Sequence, residues 1–268
     1  MISQKFRIGI DVGSVSVNLV VLDGGGGVVD ESYLRHKGRP MRVAAEALQD
    51  ALGRYGEESI VGAAATGTGG RVVAEVLGCV FVNEVVAQAA ATSAIVDAAR
   101  AADLVIMAAS DNAFPADNYR HADSAGVVLR SGRPLLILGR TLEEIHFKKI
   151  LIAWKDTREA RRAIADAIPL LREANQVIVV AATSDIQQEL HESTNDIKDF
   201  LAGHGVIART EFITTDDEVA SLLRFIDESR ADLVVAGAYG HSRLREWAFG
   251  GITRSLLKRQ ELNLLISS

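Results

Sequence analysis

Two glycine-containing stretches carry residue types that could bind phosphate. In one of them, Gly237 and Gly240 follow an apolar run, and Gly250, Gly251 and Thr253 come shortly afterwards, where a helical pattern begins. Glycines let the backbone approach a phosphate closely, and a helix N-terminus offers free N–H groups and a positive dipole, to which a threonine hydroxyl could add. Ligands of open α/β sheets bind beyond the carboxyl ends of strands, which is where this stretch is predicted to lie. The alternative is that these glycines only form turns.

The other stretch lies near the start of the sequence and contains Asp11, Gly13 and Ser14 between two short apolar runs. A carboxylate at this position can hold a hydrated Mg²⁺ ion, and a Gly–Ser turn can hydrogen-bond phosphate oxygens. Considered alone, the same spacing is typical of an ordinary hairpin. The sequence therefore offers a second candidate nucleotide site, with the hairpin as the alternative.

The elements that must position the later glycines alternate regularly between strand and helix. Helical periodicity separates short apolar runs that are rich in β-branched residues, which predicts a doubly wound parallel sheet. The predicted strands are 149–154, 177–182, 207–212, 233–236 and 262–266, and the predicted helices are 157–173, 184–204 and 217–230.

Part of this pattern occurs twice. The run at 102–107 resembles the run at 231–236, and the run at 133–138 resembles the run at 261–266. The spacing from Asp103 to Leu135 equals the spacing from Asp232 to Leu264, 32 residues in both. Equal intervals predict two copies of one strand–helix–strand unit. Only the second copy continues upstream with further strands and helices. Where the second copy has Gly237, the first has the run 108–111 without glycine, so the first copy is predicted to be structural.

The spacing of Gly237, Gly240, Gly250, Gly251 and Thr253 resembles the signature of the universal stress protein family. The resemblance covers about 147–268, and more weakly 101–140. It implies a flavodoxin-like sheet, dimer-forming surfaces and, in some members, ATP binding.

The loop at 238–246 also resembles this family, which adds His241 to the implied nucleotide site. Three positions depart from the family pattern. Lys155 stands where nucleotide-binding members carry an aspartate, Gly251 stands where serine or threonine is usual, and Asn263 replaces a common proline. These departures weaken the expectation of ATP binding, and Lys155 weakens it most.

The upstream third of the chain follows another pattern. Apolar runs at 7–11, 17–23 and 28–36, joined by short turns, predict an antiparallel meander, and helices and a strand follow it. Four segments together resemble the activator ATPases of 2-hydroxyacyl-CoA dehydratases and benzoyl-CoA reductases, which have the actin-like ATPase fold. These segments are 9–16, 35–40, 65–70 and 82–89. The resemblance covers 6–91, but the later loops and cysteines of that family do not follow. It implies that Asp11, Gly13 and Ser14 either line a partial site for ATP and Mg²⁺ or are relics of such a site.

The chain is therefore predicted to be a composite, or chimera, of three parts. These are a partial actin-like ATPase segment at 1–94, the rear half of a first universal-stress-protein-like unit at 95–142, and a complete unit at 143–268. The rear half would leave a strand edge open, so we expect the N-terminal segment to supply strands that cover it. The result would be one continuous, two-lobed α/β body.

Composition excludes several classes of function. A formal net charge of −6 does not suit sequence-independent nucleic-acid binding, and no apolar run is long enough to cross a membrane. The only cysteine, Cys79, cannot form an internal disulfide, which favours a cytoplasmic location. Because the apolar Val80 and Phe81 follow it, we expect Cys79 to be a small buried hydrophobe. The six histidines of the chain show no metal-binding spacing, so we expect no metal site and a surface position for each histidine.

The leading hypothesis is a non-catalytic stress-response module. It would bind ATP or another nucleotide, with or without Mg²⁺, or would act through self-association or pairing with another universal stress protein domain. A second hypothesis is an ATPase or dehydratase activator that uses Asp11. A third is an interaction protein without a ligand.

Overall fold

The computed structural model describes residues 4–109, 123–139, 146–238 and 251–268. These residues form two compact units, the first up to Ala91 and the second from Thr92 onward, and each unit has its own sheet. No helix in the described ranges combines the length and the apolar character needed to cross a membrane.

The first unit is built on a five-stranded sheet in the order β3-β2-β1-β4-β5. Strands β1, β2 and β3 pair antiparallel, which confirms the predicted meander, whereas β4 and β5 continue the sheet in parallel with β1. The elements are β1 (Phe6–Val12), β2 (Ser16–Leu22), β3 (Val28–Arg35), α1 (Pro40–Tyr55), β4 (Ile60–Thr66), α2 (Gly70–Leu77) and β5 (Val80–Phe81).

Helix α1 covers one face of this sheet. It begins at Pro40, whose fixed φ angle and missing N–H suit the first turn of a helix. Ala44, Ala47 and Ala51 repeat at helical spacing and are buried, so their small side chains let the helix lie close to the strands. Alternate residues of β1 and β2 complete this core, including Ile8 and Leu19.

The second unit contains a seven-stranded sheet flanked by helices. Its order is β10-β9-β8-β11-β12-β7-β6. The elements, with the helix α3 that crosses the boundary between units, are α3 (Glu84–Ala98), β6 (Val105–Ala108), α4 (Ser124–Ser131), β7 (Leu135–Leu138), β8 (Lys149–Ala153), α5 (Arg158–Glu173), β9 (Gln176–Thr183), α6 (Gln188–Gly203), β10 (Ala208–Thr214), α7 (Glu218–Ser229), β11 (Leu233–Gly237), α8 (Gly251–Leu257) and β12 (Leu264–Ser267).

Strands β8 to β12 form the predicted doubly wound parallel sheet. The chain first adds β9 and β10 on one side of β8 and then returns to add β11 and β12 on the other. Helices α5 and α6 bury their apolar sides in the core on one face, and α4, α7 and α8 bury theirs on the other. The sheet therefore changes direction between β8 and β11, and crevices form at such a point.

The two copies of the repeat meet at the pair β7–β12, the only antiparallel pair of this sheet in the described ranges. Leu136 pairs with Leu265, and these two residues are equivalent in the repeat, so the pairing is centred on a local twofold axis. Asn263 stabilises the junction of β7 and β12. Its Oδ1 accepts a hydrogen bond from the Gly139 N–H and its Nδ2 donates one to the Asp232 carbonyl, both at 2.8 Å.

The expectation that the N-terminal segment covers the open edge of the first copy is wrong. The sheet ends at β6, which pairs with β7 alone within the described ranges. Strands β1 to β5 instead pair with one another in their own sheet. None of these five strands pairs with β6 within the described ranges.

Candidate functional site

A cavity of about 250 Å³ opens at the carboxyl ends of β8, β9 and β11. The strand order of the second unit changes direction at this cavity. The sequence predicts that a ligand binds beyond the carboxyl ends of the strands, and the cavity lies there. The lining residues are Ala153, Trp154, Lys155, Thr157, Ala160, Val180, Ala182, Glu218, Val219, Leu222, Ala236, Gly237, Gly251, Ile252 and Thr253. Most of this lining is apolar, with the charged groups of Lys155 and Glu218 exposed toward solvent.

Gly237 is a glycine because helix α5 lies against it. A Cβ atom at this position would lie 2.5 Å from the Ala160 nitrogen and 2.8 Å from the carbonyl carbon of Glu159. Thr157 caps the same helix by accepting a hydrogen bond of 3.2 Å from the Ala160 N–H. The close approach brings the N-terminus of α5, with its positive dipole end, to the wall of the cavity.

The helix α8 borders the opposite wall. The Thr253 hydroxyl is buried and donates its proton to the Gly237 carbonyl at 3.2 Å. This hydrogen bond joins α8 to the end of β11. That proton is therefore already engaged, and only the oxygen lone pairs of Thr253 remain for a ligand. Gly251 is exposed, and a Cβ there would lie 3.3 Å from Cγ2 of Val219 on α7.

An ion pair that the sequence did not reveal lies at the mouth of the cavity. Lys155 Nζ is 3.6 Å from Glu218 Oε2, and their side chains are 57% and 36% exposed. Pairs with this exposure stabilise a fold little, because water screens both charges. Lys155, predicted to disfavour ATP because it replaces an aspartate, thus places a cation where a phosphate could approach.

Of the residues predicted for this site, the structure brings Gly237, Gly251 and Thr253 to one cavity. Gly240, His241 and Gly250 lie outside the described residues. In the first copy, Ala108 occupies the position equivalent to Gly237 at the end of β6.

The predicted N-terminal site also falls at the end of its strands. Asp11 pairs with Asn18 across β1–β2 and with Thr66 across β1–β4, and it accepts a hydrogen bond of 3.3 Å from Asn18 Nδ2. Gly67 has a φ of +91°, and a Cβ there would lie 2.6 Å from the Val12 carbonyl oxygen. The turn at Gly67 therefore packs directly over Asp11 and its neighbour.

Gly13 and Ser14 form the turn between β1 and β2. The Gly13 N–H donates to Ser16 O at 3.0 Å, and Ser14 is exposed. The expected surface position of every histidine is wrong for His36, which is buried. Its Nδ1 accepts from the Gly38 N–H at 3.1 Å, so Nε2 carries the proton directed at Gly13 O, 3.3 Å away. His36 therefore fixes the turn.

The polar lining of the cavity consists of Lys155, Thr157, Glu218 and Thr253, and both hydroxyls are engaged in holding helices. Throughout the part of the chain that the structure describes, no group of three His, Cys, Asp or Glu side chains could hold a metal ion. The arrangement is suited to binding a ligand.

A known protein family matches part of the second unit. The model of the Universal stress protein family matches residues 179–267, which run from β9 to β12 and include the cavity residues Gly237, Gly251 and Thr253. This part of the chain is thus similar to the Universal stress protein family. No curated protein sequence is similar enough to the chain to count as a match.

One solved structure supports the same fold. A universal stress protein from Archaeoglobus fulgidus is 12% identical and aligns over 82% of this chain and 92% of its own, with a TM-score of 0.53. At that identity the likeness concerns the fold alone. A universal stress protein family protein from Arabidopsis thaliana with AMP bound is 13% identical over 44% of this chain and 88% of its own, with a TM-score of 0.32.

The (R)-2-hydroxyglutaryl-CoA dehydratase component A from Acidaminococcus fermentans is 16% identical over 77% of this chain and 92% of its own. Its TM-score is 0.26. Scores this low carry no argument, so the actin-like ATPase character of the first unit stays a prediction.

Proposed function

We propose that the second unit binds a nucleotide, ATP or a related adenine nucleotide, in the cavity beside Gly237, and that it acts by binding and not by catalysis. The observation that carries this proposal is the meeting of Gly237, Gly251 and Thr253 at one cavity where the sheet changes direction. The match of residues 179–267 to the Universal stress protein family supports it. A role in a stress response and a cytoplasmic location are parts of the same proposal.

The size and lining of the cavity suggest how a nucleotide would divide between interior and mouth. About 250 Å³ is below the roughly 300–1,000 Å³ of pockets that enclose a whole drug-sized ligand. The apolar walls from Ala153, Val180 and Leu222 suit a base. Phosphates would then lie at the exposed mouth, near Lys155 and Gly251.

Lys155 has two competing partners in this proposal. In the structure it pairs with Glu218, whereas a bound phosphate would attract the same ammonium group. Because the Lys155–Glu218 pair is exposed and weak, a nucleotide would displace Glu218 at little expense in stability. This competition predicts weak binding that is adjustable in both directions by mutation.

Titration with a fluorescent ATP analogue tests the proposal. The Ala153→Leu substitution puts extra carbon atoms into the cavity, and we expect at least a tenfold loss of affinity, about 1.4 kcal/mol. The matched control is Ala202→Leu at an exposed position of α6, which should bind like the wild type. Circular dichroism establishes that both variants fold.

Charge variants provide a second, independent test of the proposal in the same titration. Lys155→Glu should weaken binding, and Glu218→Gln should strengthen it severalfold. Lys258→Glu makes the same charge change as Lys155→Glu at an exposed position outside the cavity lining, and it should leave the affinity unchanged. Absence of wild-type binding up to about 1 mM nucleotide, or equal affinities for Ala153→Leu and wild type, would overturn the proposal.

A further inference from the structure

A second cavity of the second unit lies between helices α5 and α6, which pack on one face of the sheet. Its volume is about 520 Å³, within the range of roughly 300–1,000 Å³ that small-molecule pockets occupy. Among the described residues, its lining shares only Trp154 with the cavity beside Gly237. The two cavities are therefore separate candidate sites.

The space between the two helices exists because one of them carries a small side chain there. On α6, Ser193, Ile197 and Phe200 line the cavity at helical spacing, and on α5 the lining includes Ala165. A side chain of this size leaves the gap unfilled. Trp154 forms the floor, since it is only 5% exposed. Its indole N–H donates to Ser193 Oγ at 3.4 Å, so the ring offers a ligand its apolar surface.

The charged groups of this cavity do not balance. Arg161 donates to Asp156 Oδ1 from Nε at 3.0 Å and from Nη2 at 2.7 Å, so these two charges are paired. The hydrogen bonds and ion pairs of the described residues include none with the Asp196 side chain, which also lines the cavity. One carboxylate of the lining therefore has no counterion.

The rest of α6 adds to this negative charge. The helix contains four acidic residues, at positions 189, 192, 196 and 199, and Lys198 is its only lysine or arginine. An excess of carboxylates on one wall of a cavity attracts cations and repels anions. The charge of the cavity therefore suits a cationic ligand.

Phe200 supplies an aromatic ring at the rim of the cavity. It is 38% exposed, and the ring of His204 packs against it with 4.4 Å between the ring centroids, which holds the phenyl ring in place. The face of an aromatic ring attracts an ammonium group, and a nearby carboxylate attracts the same group. A neutral or anionic compound gains neither attraction.

We propose that the cavity between α5 and α6 binds a small organic ammonium compound. The ammonium group would pair with Asp196 and contact Phe200, and the apolar part would fill the space beside Ala165 and above Trp154. A nucleotide carries the opposite charge, so this ligand differs from the one proposed for the cavity beside Gly237. The proposal does not depend on nucleotide binding.

Three probes that share a phenyl group and differ in charge test the proposal. Near neutral pH, phenethylamine is cationic, phenethyl alcohol is neutral and phenylacetate is anionic. The chain has two tryptophans, so in a Trp247→Phe background the fluorescence of Trp154 follows each titration. We expect phenethylamine to bind about fivefold more tightly than the alcohol, and phenylacetate to bind most weakly. Equal affinities for the three probes, or no phenethylamine binding up to about 10 mM, would overturn the proposal.

Charge variants in the same background locate the ammonium group. Asp196→Asn should weaken phenethylamine binding about threefold and leave the alcohol unaffected. Asp199→Asn makes the same change at an exposed position of α6 outside the cavity lining, and it should affect neither probe. Equal phenethylamine affinities in these two variants contradict the contact with Asp196. Asp196→Asn should bind the fluorescent ATP analogue like the wild type, so the two proposals can fail separately.

Two further variants test the space and the ring. Ala165→Leu fills the cavity and should weaken both phenethylamine and the alcohol, whereas Ala202→Leu, at an exposed position outside the lining, should weaken neither. Phe200→Leu keeps an apolar side chain but removes the ring, so it should weaken phenethylamine more than the alcohol. Circular dichroism establishes that each variant folds. Unchanged phenethylamine binding in a folded Ala165→Leu variant would place the probe elsewhere and refute the proposed site.

Discussion

Leu136 lies directly opposite Leu265 where β7 and β12 pair antiparallel. The two leucines are equivalent positions of the internal repeat, and both are buried. They therefore mark a local twofold axis that passes through one continuous sheet. The two copies of the repeat are thus joined edge to edge within that sheet.

Loss of a leucine at this axis should weaken the second unit. We expect Leu265→Ala to lower the free energy of unfolding by about 2–5 kcal/mol, because it removes buried methyl groups and leaves a cavity. Urea unfolding followed by circular dichroism measures the change. Leu129→Ala, at an exposed position of α4, should change it by less than about 0.5 kcal/mol. Comparable losses in the two variants would argue against a well-packed junction.

Asn263 should be the polar counterpart of this apolar junction. Its replacement by leucine leaves the Gly139 N–H and the Asp232 carbonyl without their side-chain partner, and each loss costs about 1–3 kcal/mol when the group stays buried. We expect a lower unfolding midpoint and faster hydrogen exchange at the Gly139 amide. Asn263→Asp retains an acceptor for Gly139 and should slow that exchange again. An unchanged Gly139 amide in the leucine variant would refute this role.

Gly237 should tolerate no side chain. Alanine at this position would collide with the backbone of Ala160, so we expect a loss of stability of about 1–3 kcal/mol. The control is Gly203→Ala at the end of α6, where no atom lies within 4 Å of the added carbon and where alanine favours the helix by up to about 1 kcal/mol. Thermal unfolding compares the two, and a stable Gly237→Ala variant would show that α5 can move away.

Cys79 should react slowly in the folded protein. It is half-buried against the core of the first unit, and burial raises the pKa of its thiol above the ordinary value. The protonated thiol therefore favours the fold below the pKa of the unfolded chain, and this contribution is lost as pH rises through the folded pKa. Rates of thiol labelling against pH should rise at higher pH in the folded protein than in urea. Coinciding profiles would contradict the shift, and Cys79→Ser gives the background rate.

Most of the elements could be predicted from the sequence because each carries a local pattern. The alternation of apolar runs and helical spacing placed β8 to β12 and α5 to α7 within a few residues of their observed bounds. Strand β5 could not be predicted, because a strand of only two residues, Val80 and Phe81, is too short to show any alternation.

The pairing of strands was harder to predict than their positions. The repeat indicated that Leu136 and Leu265 are equivalent, but no local signal shows that equivalent strands pair with each other. The coverage of the edge at Ile106 was predicted wrongly for the same reason, since partner choice depends on contacts distant in sequence. His36 was placed at the surface because its turn partners, Gly13 and Gly38, cannot be recognised from spacing alone.

The candidate site was predicted in part. Gly237, Gly251 and Thr253 were identified by motif, and the structure brings them to one cavity. Glu218 was missed, although its place in the first turn of the helix after β10 is a usable signal, because the carboxyl ends of parallel strands meet at one edge of a sheet.

The charge pair at the mouth of the cavity has a consequence for ionic strength. Added salt screens the attraction between Lys155 and Glu218, which releases the lysine, and equally screens the attraction between Lys155 and an arriving anion. The two effects oppose each other, so anion affinity at this cavity should vary less with salt than it would at an unpaired lysine. A binding site of this kind keeps a nearly constant response while the ionic composition around it changes.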